Sequence, residues 1–452
     1  APVLMILACI AAEAVVLRVG IDDLDEGYFV QQAARVLHGQ VPYRDFETLY
    51  APGLVYLHAL TFAAVGGPSL LAMRALALTA RAGLSLMLFA LARPLVRHPL
   101  WASAPALILL LGLDDAPVRW EPHPGWLSTL FGVVGVWCAS HGRTRGWLIA
   151  AGASAAAAYL FKQNTGVFVL AALLVWSGRK RLVIPLVAFV AVSLLWLAPL
   201  LFALRSGGDL ADLGVLVGAV RQAGLVSPPE PAIVLPLACL LGGVWLVRQH
   251  PDPRPWWYLL AGSALFLTQY PRMDTLHLAW SAPLLLVVGS LILDRLRALP
   301  AVALVAVALA LLWPTWSDRV AYVAQPRQPL DGVEAPIETA ADLQGVIADI
   351  QRRTSPGEPI FVYPTSPLLY VLADRPNPTR FDHLNPGAAS PAQIDQVIDD
   401  LAHSRVKLVV ISDFWEQVWG SPGPNAVLED WLASHYTDVA RHGAYRVLAV
   451  DL

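Results

Sequence analysis

The sequence is poor in charged residues and in cysteine, and these shortages exclude several classes of protein. Charged side chains make up 14% of the 452 residues and hydrophobic ones 56%, and the mean hydropathy is +0.56. Such values are far from those of a soluble globular protein and are typical of a polytopic membrane protein. The net charge of −3 provides no basic field that would attract nucleic acid.

The sequence also lacks the commonest cofactor and metal motifs. Its three cysteines, Cys9, Cys138 and Cys239, lie within apolar runs, so they offer neither a disulfide framework nor a CxxC metal site. The C-terminal part carries no GxGxxG, Walker or HExxH motif. The chain begins inside an apolar run without a basic flank, which is typical of a trimmed N-terminus rather than of a signal peptide.

Long apolar runs recur up to about residue 316. We read roughly eleven membrane spans, several shorter than the ~20 residues that cross a bilayer untilted. They cover residues 2–20, 69–92, 100–113, 125–140, 146–161, 165–178, 182–204, 232–247, 256–268, 276–293 and 300–316. Basic residues concentrate in alternate connections, which the positive-inside tendency places in the cytoplasm. The other connections and everything after the last span are therefore expected on the outer face.

After residue 316 the apolar runs shrink to strand length. Predicted helices over 340–353, 368–372, 391–403 and 425–434 alternate with predicted strands over 359–363, 406–411 and 445–450. Such alternation is typical of a small α/β layer with partly parallel strands. The sequence therefore predicts a mainly α membrane bundle over 1–320 and a soluble extracytoplasmic α/β domain over 335–452.

Residues 21–53, here called the first polar segment, stand between apolar runs and open the outer loop 21–68. Asp22, Asp23, Asp25 and Glu26 directly follow the first apolar run. From residue 25 to 38 apolar positions recur at helical spacing, as in a helix that lies in the membrane interface. We expect this loop to carry the active site.

Charged residues within the spans are the next candidates, because an ionisable group at membrane depth is costly and is normally paired or functional. Glu13 and Arg74 would both lie ~10 Å from the outer ends of their helices. An ion pair between them and a phosphate-binding role for Arg74 are both open at this point.

A cluster of carboxylates beside Arg, Lys and His at a membrane surface suits a lipid-linked phosphate donor. The lipid tail stays in the bilayer, basic side chains bind the phosphate, and a carboxylate acts as general base on an acceptor hydroxyl. Such a reaction needs no soluble nucleotide. The sequence thus predicts a polyprenyl-phosphate-linked sugar donor and a glycan, lipid or protein acceptor.

The first polar segment resembles the corresponding loop of the GT-C membrane glycosyltransferases, in particular the bacterial branch related to protein O-mannosyltransferases and lipid A aminoarabinose transferase. The matching residues are Asp25-Glu26-x-Tyr28, Gly39-x-x-Pro42-Tyr43-x-Asp45-Phe46 and Pro52-Gly53. The resemblance implies a multi-helix membrane fold, transfer from a polyprenyl-phosphate sugar on the outer face and inversion at the anomeric carbon. It makes Asp25 the favoured catalytic base and Glu26 its neighbour in an acid pair.

The chain departs from this pattern at Tyr50-Ala51-Pro52-Gly53, where many relatives carry Lys-Pro-Pro. Lys162 is the first candidate to replace that phosphate-binding lysine, and Arg74, His277 and Arg272 are the others. Candidates for binding the acceptor or sugar are Tyr28, Tyr43, Asp45, Asp114, Asp115, His123 and Asp274. Asp274 could equally be a helix cap.

The reaction as predicted requires no metal, although oxygen ligands from Asp25, Asp114 and Asp115 would suit Mg²⁺ or Mn²⁺. The function that these patterns favour is a polyprenyl-phosphate-sugar-dependent hexosyl- or pentosyltransferase of the cytoplasmic membrane. The alternative is a transporter or flippase for a lipid-linked glycan. A polymerase or ligase of lipid-linked oligosaccharides shares the site chemistry and differs in its acceptor.

Overall fold

The computed structural model describes residues 2–111, 122–142, 144–205, 229–249, 252–270, 273–296, 298–384, 389–413 and 425–450. Helices dominate its N-terminal part. They are α1 (Pro2–Val15), α2 (Asp25–Leu37), α3 (Gly53–Val65), α4 (Leu70–Ala92), α5 (Pro99–Leu111), α6 (Pro124–Ser140), α7 (Arg145–Phe161), α8 (Gln163–Ser177), α9 (Val183–Leu204), α10 (Val234–Val247), α11 (Arg254–Phe266), α12 (Thr275–Ser281), α13 (Pro283–Arg295) and α14 (Ala298–Val323).

Three of the described helices are long and apolar enough to cross a membrane, namely α4, α9 and the part of α14 from Pro300 to Val323. The bent pair α12 and α13 makes a fourth if it crosses as one span. The number of spans predicted from the sequence, eleven, is not confirmed by helix length. Leu195 and Phe202 on α9 are 76% and 62% exposed, as expected for a helix whose apolar surface faces lipid.

The sequence predicts one continuous helix over 276–293, but the structure divides it into α12 and α13 with a 78° bend between them. Pro283 explains the bend, because proline has no backbone N–H and its ring clashes with the carbonyl group four residues earlier. The bend places Asp274, His277 and Trp280 on or beside a short helix of their own.

The C-terminal part forms a small α/β domain. Its elements are β1 (Arg327–Leu330), β2 (Val333–Pro336), α15 (Ile337–Arg353), β3 (Phe361–Tyr363), α16 (Leu368–Ala373), α17 (Pro391–His403), β4 (Leu408–Ser412), α18 (Ala426–His435), β5 (Tyr436–His442) and β6 (Tyr445–Val450). The four-stranded sheet has the order β3-β4-β6-β5, in which only the β3–β4 pair is parallel. The sequence patterns missed β5 and the β1–β2 hairpin.

The sheet separates two cores, because alternate side chains of a strand point to opposite faces. Val362 and Val410 pack beneath α15 and α16 on one face, while Phe361 and Val409 pack on the other face with α17 and α18. This burial on both faces explains why β4 reads as a continuous apolar run.

The C-terminal domain packs directly on the first polar segment. Glu334 of β2 extends strand pairing to the chain before α2, since its N–H donates to Arg18 O at 2.7 Å and its carbonyl accepts from Gly20 N at 2.7 Å. Tyr445 of β6 donates a hydrogen bond to Asp23. A Cβ at Gly27 would lie 2.7 Å from both the backbone nitrogen and the Cβ of Leu368. The glycine therefore allows α16 to approach α2 closely.

We expect Gly27→Ala to lower the free energy of unfolding by about 1–3 kcal/mol, since the added methyl group meets backbone rather than a movable side-chain end. Thermal unfolding in detergent and limited proteolysis of the C-terminal domain measure the effect. Gly146→Ala is the matched control, because a Cβ at this helical position meets no atom within 4 Å. Equal stability of the two variants would contradict the close approach.

Candidate active site

A buried ion pair fixes the start of α2. The guanidinium of Arg74 on α4 donates from Nε to Glu26 Oε1 and from Nη2 to Oε2, both at 2.6 Å. Its remaining hydrogen bonds reach the carbonyl groups of Leu17, Val19 and Gly20 at 2.9–3.4 Å. Both charged side chains are almost inaccessible, at 1% and 2% exposure. Arg74 thus ties the end of the first helical region, α2 and α4 together.

These contacts give Glu26 and Arg74 a structural role, and the catalytic and phosphate-binding roles predicted from the sequence stay predictions. Of the two possibilities left open for Arg74, the ion pair with Glu13 does not form. Glu13 instead pairs with Arg81 of α4 at 3.3 Å and with Arg319 of α14 at 2.7 Å. The pairing of Glu13 with Arg74 was considered because both residues lie at the same depth in the membrane. The direction in which each side chain leaves its helix decides the actual partner.

Asp25 begins α2 and is exposed, although its neighbour Glu26 is buried. The carboxylate of Asp22 accepts hydrogen bonds from Leu24 N at 2.9 Å and from Asp25 N at 3.3 Å, so it caps this helix end. Asp22, and not Asp25, accepts both of these hydrogen bonds.

Four of the predicted site residues meet around Trp280 of α12, and we call this group the Trp280 cluster. The His123 ring stacks on Trp280 at 3.8 Å with an interplanar angle of 5°. Lys162 Nζ lies 4.6 Å from the centroid of the indole ring. The His277 ring lies 5.1 Å away and hydrogen-bonds through Nδ1 to Asp274 at 2.6 Å. The cluster concentrates an ammonium group and imidazoles around one aromatic platform.

Two glycines permit this convergence. A Cβ at Gly125 would lie 2.4–2.7 Å from ring atoms of Trp280, so only glycine lets the start of α6 contact the indole. A Cβ at Gly53 would lie 2.5 Å from the carbonyl oxygen of Leu160, close to the end of α7. The Pro52-Gly53 step of the motif thus packs α3 beside the turn that carries Lys162.

Phe29 and Tyr50 connect Asp25 to the Trp280 cluster. Phe29 lies four residues after Asp25, so the two share one face of α2 and are separated by ~6 Å along its axis. The Phe29 ring contacts His123 at 5.8 Å and Tyr50 at 5.7 Å. Tyr50 OH and His123 Nε2 are hydrogen-bonded at 3.0 Å. The exposed carboxylate therefore lies one helical turn from the edge of the cluster.

Other predicted sugar-binding residues of the motif maintain the shape of the loop. Tyr43 is fully buried and donates a hydrogen bond from its hydroxyl to Tyr50 O at 2.5 Å. Asp45 accepts from Val41 N at 2.7 Å and from the Arg44 guanidinium at 2.7 and 2.9 Å. The hydrogen bond from Arg44 lowers the pKa of Asp45. Asp274 caps α12 by accepting from His277 N at 2.9 Å, so capping and contact with the cluster coexist.

Tyr28 contacts His383, a residue that the sequence patterns did not identify as a candidate. Its hydroxyl accepts from Leu49 N at 3.2 Å, and burial raises its pKa. Its ring lies 4.6 Å from the imidazole ring of His383, which belongs to the C-terminal domain. His383 stands in an irregular stretch without periodicity, so only its spatial position beside α2 identifies it.

The predicted residues Asp114, Asp115 and Arg272 lie outside the residues that the structure describes. Within the described ranges no three His, Cys, Asp or Glu side chains are grouped so as to hold a metal ion.

Neither a protein-family model nor a curated protein sequence matches this chain. Its three-dimensional structure does match solved structures. ArnT from Cupriavidus metallidurans, solved bound to undecaprenyl phosphate, superposes with a TM-score of 0.61 at 15% identity, covering 99% of this chain and 97% of that one. The chain has the GT-C fold. The resemblance inferred from the first polar segment is confirmed.

Two further GT-C structures superpose over most of this chain. The Archaeoglobus fulgidus oligosaccharyltransferase matches with a TM-score of 0.54 at 13% identity, covering 96% of this chain and 71% of that one. The mycobacterial arabinofuranosyltransferase AftD matches with a TM-score of 0.54 at 12% identity, covering 99% of this chain and 40% of that one. At these identities the likeness establishes the fold alone.

Glu26→Gln should lower the free energy of unfolding by about 3–5 kcal/mol, because it leaves the buried Arg74 guanidinium without a counter-charge. Asp252→Asn removes a partly exposed pair with Arg254 and should cost less than about 1 kcal/mol. Denaturation of the two purified variants in detergent compares them. If Glu26→Gln were as stable as the wild type, the ion pair would not hold α2 in place.

Proposed function

We propose that the chain is a glycosyltransferase that moves a sugar from a polyprenyl phosphate to a hydroxyl group of a cell-envelope glycan, lipid or protein. The observation that carries this proposal is the exposed Asp25 carboxylate, held one helical turn from the edge of the Trp280 cluster. An inverting transfer requires a base on one side of the anomeric carbon and a cationic site for the leaving phosphate on the other side.

In the proposed step Asp25 accepts the proton of the acceptor hydroxyl as its oxygen bonds to the anomeric carbon. The bond from that carbon to the phosphate oxygen breaks, and its electron pair leaves with the polyprenyl phosphate. Attack opposite to the leaving phosphate inverts the anomeric configuration. In this proposal the positive charge of Lys162, which lies over the Trp280 ring, offsets the negative charge that the leaving phosphate gains.

The Trp280 cluster suits the donor for two reasons. The Lys162 ammonium group and the His277 imidazole group can hydrogen-bond to phosphate oxygens, whereas both His123 ring nitrogens are bonded to Gly125 and Tyr50. The buried Trp280 N–H also has no hydrogen-bond partner among the described residues, so it is a donor that an oxygen of the bound substrate could use. ArnT was solved with undecaprenyl phosphate, a lipid of the kind proposed here. A polyprenyl tail would lie along the exposed apolar surface of the helices.

We place the site on the outer face of the cytoplasmic membrane. This assignment rests on the alternation of basic connections in the sequence, which leaves the first polar segment and the C-terminal domain on the other side. Polyprenyl-linked sugars that reach this face need no soluble nucleotide. The donor set to assay is a panel of polyprenyl-phosphate hexoses and pentoses.

Asp25→Asn should reduce transfer of radiolabelled sugar from polyprenyl-phosphate monosaccharides by about 10²–10⁴-fold, because the amide cannot accept the proton. Asp395→Asn makes the same charge change at an exposed position on α17 and should leave transfer unchanged. Both variants are assayed in membranes at matched expression. Undiminished transfer by Asp25→Asn would refute the role of the base, and movement of a lipid-linked glycan without transfer would favour a flippase.

Lys162→Gln should weaken donor binding about tenfold, since one charged hydrogen bond to a phosphate is lost. Lys162→Arg keeps the charge and should restore most of the affinity. Competition by unlabelled polyprenyl phosphate measures the change, and the KM for the acceptor serves as the internal control. A raised acceptor KM with unchanged donor affinity would place the phosphate elsewhere.

A further inference from the structure

A segment of the C-terminal domain, residues 377–383, is held tightly against α2. The Arg35 guanidinium of α2 donates from Nη1 to Asp382 Oδ1 at 2.8 Å and from Nη2 to Thr379 O at 2.9 Å. The Arg35 and Asp382 side chains are 7% and 0% exposed. A buried and hydrogen-bonded ion pair strongly resists separation, because either partner left alone would be an uncompensated buried charge.

A second set of bonds joins the same segment to the loop after α2. Glu47 N donates to Arg380 O at 2.8 Å, and the Arg380 guanidinium donates to Tyr43 O at 3.2 Å. Within the segment, Asn377 Nδ2 donates to Asp382 Oδ1 at 3.1 Å and so orients the carboxylate that Arg35 binds. The segment is fixed both internally and to the first polar segment.

These contacts between residues 377–383 and the first polar segment place His383 beside the candidate active site. The residue directly follows Asp382, and its ring packs against Tyr28 at 4.6 Å. Tyr28 lies three residues after Asp25, so both are on neighbouring positions of one α2 face. The imidazole group therefore approaches the proposed base from the side of the C-terminal domain.

The buried surroundings of His383 favour a neutral ring, against the effect of the carboxylates that face it. Burial lowers the pKa of His383 below its usual 6.5, although the carboxylates of Asp25 and Asp382 act in the opposite direction. Asp382 is bound to Arg35, which reduces its influence, and Tyr28 is an uncharged neighbour because burial raises its pKa. At neutral pH the imidazole group carries no charge and retains one N–H donor.

We propose that the C-terminal domain completes the active site and that His383 is a positioning residue for Asp25. From its position against Tyr28, the neutral imidazole would donate its N–H to one Asp25 carboxylate oxygen when the substrates bind, leaving the other oxygen for the acceptor hydroxyl. A protonated ring would instead neutralise Asp25 and weaken it as a base. This inference rests on the proposed function of Asp25.

The test compares His383→Ala and His383→Gln with His403→Gln, which changes an exposed histidine on α17 of the same domain. We expect His383→Ala to lower kcat by about 10–100-fold at an unchanged donor KM. The amide of His383→Gln can donate one hydrogen bond, so this variant should recover part of kcat. His403→Gln should match the wild type.

The pH dependence separates positioning from simple packing. In the wild type, protonation of His383, whose pKa is lowered by burial, stops the reaction and steepens the acid limb of kcat/KM. With His383→Ala or His383→Gln this protonation is removed, and the acid limb should become shallower. A merely structural role would lower thermal stability and leave the slope at its wild-type value.

The outcomes also distinguish the positioning role of His383 from the proposed role of Asp25 as the base. If Asp25→Asn is inactive but His383→Ala retains the wild-type kcat and slope, the positioning role is wrong and the base stands. Loss of kcat in His383→Ala with an unchanged slope also refutes the positioning role. If Asp25→Asn remains active, the proposed function itself fails, whatever the behaviour of the histidine variants.

Discussion

The ion pair between Glu26 and Arg74 is the constraint on which the candidate site depends. Successive residues of a helix differ in direction by about 100°, so burying Glu26 against Arg74 turns Asp25 towards the surface. Two adjacent carboxylates thereby acquire different tasks, one structural and one available for chemistry. The same guanidinium binds the carbonyl groups of residues 17, 19 and 20, so it also sets where the first polar segment leaves α1.

From this fixed point the site is assembled from parts of the chain that are remote in sequence. The bend at Pro283 presents α12 and Trp280, and the missing side chain of Gly125 lets His123 and its helix approach the indole ring. The Arg35–Asp382 ion pair holds a segment of the C-terminal domain against α2, beside the site. The domain is thus integrated with α2 through buried charge rather than joined to the bundle by a linker alone.

The sequence was sufficient to predict the helical membrane bundle, the partly parallel C-terminal sheet and the GT-C fold, because apolar runs, strand patterning and the Asp25-Glu26 motif are local signals. Pairings between distant residues were not predictable in this way. Equal depth suggested Arg74 as the partner of Glu13, although the directions of their side chains differ. His383 and Trp280 carry no local signal of function, since an isolated histidine in an irregular stretch and a tryptophan near a span end have many structural uses.

The central claim is that the phosphate of a polyprenyl donor binds at the Trp280 cluster while Asp25 faces the anomeric carbon from the opposite side. An electron cryo-microscopy structure of the Asp25→Asn variant with a non-hydrolysable polyprenyl-phosphonate sugar tests this claim most directly. The account predicts phosphonate density within hydrogen-bonding distance of Lys162 or His277 and the sugar between that density and residue 25. Phosphonate bound away from the Trp280 cluster, or a sugar remote from residue 25, would contradict it.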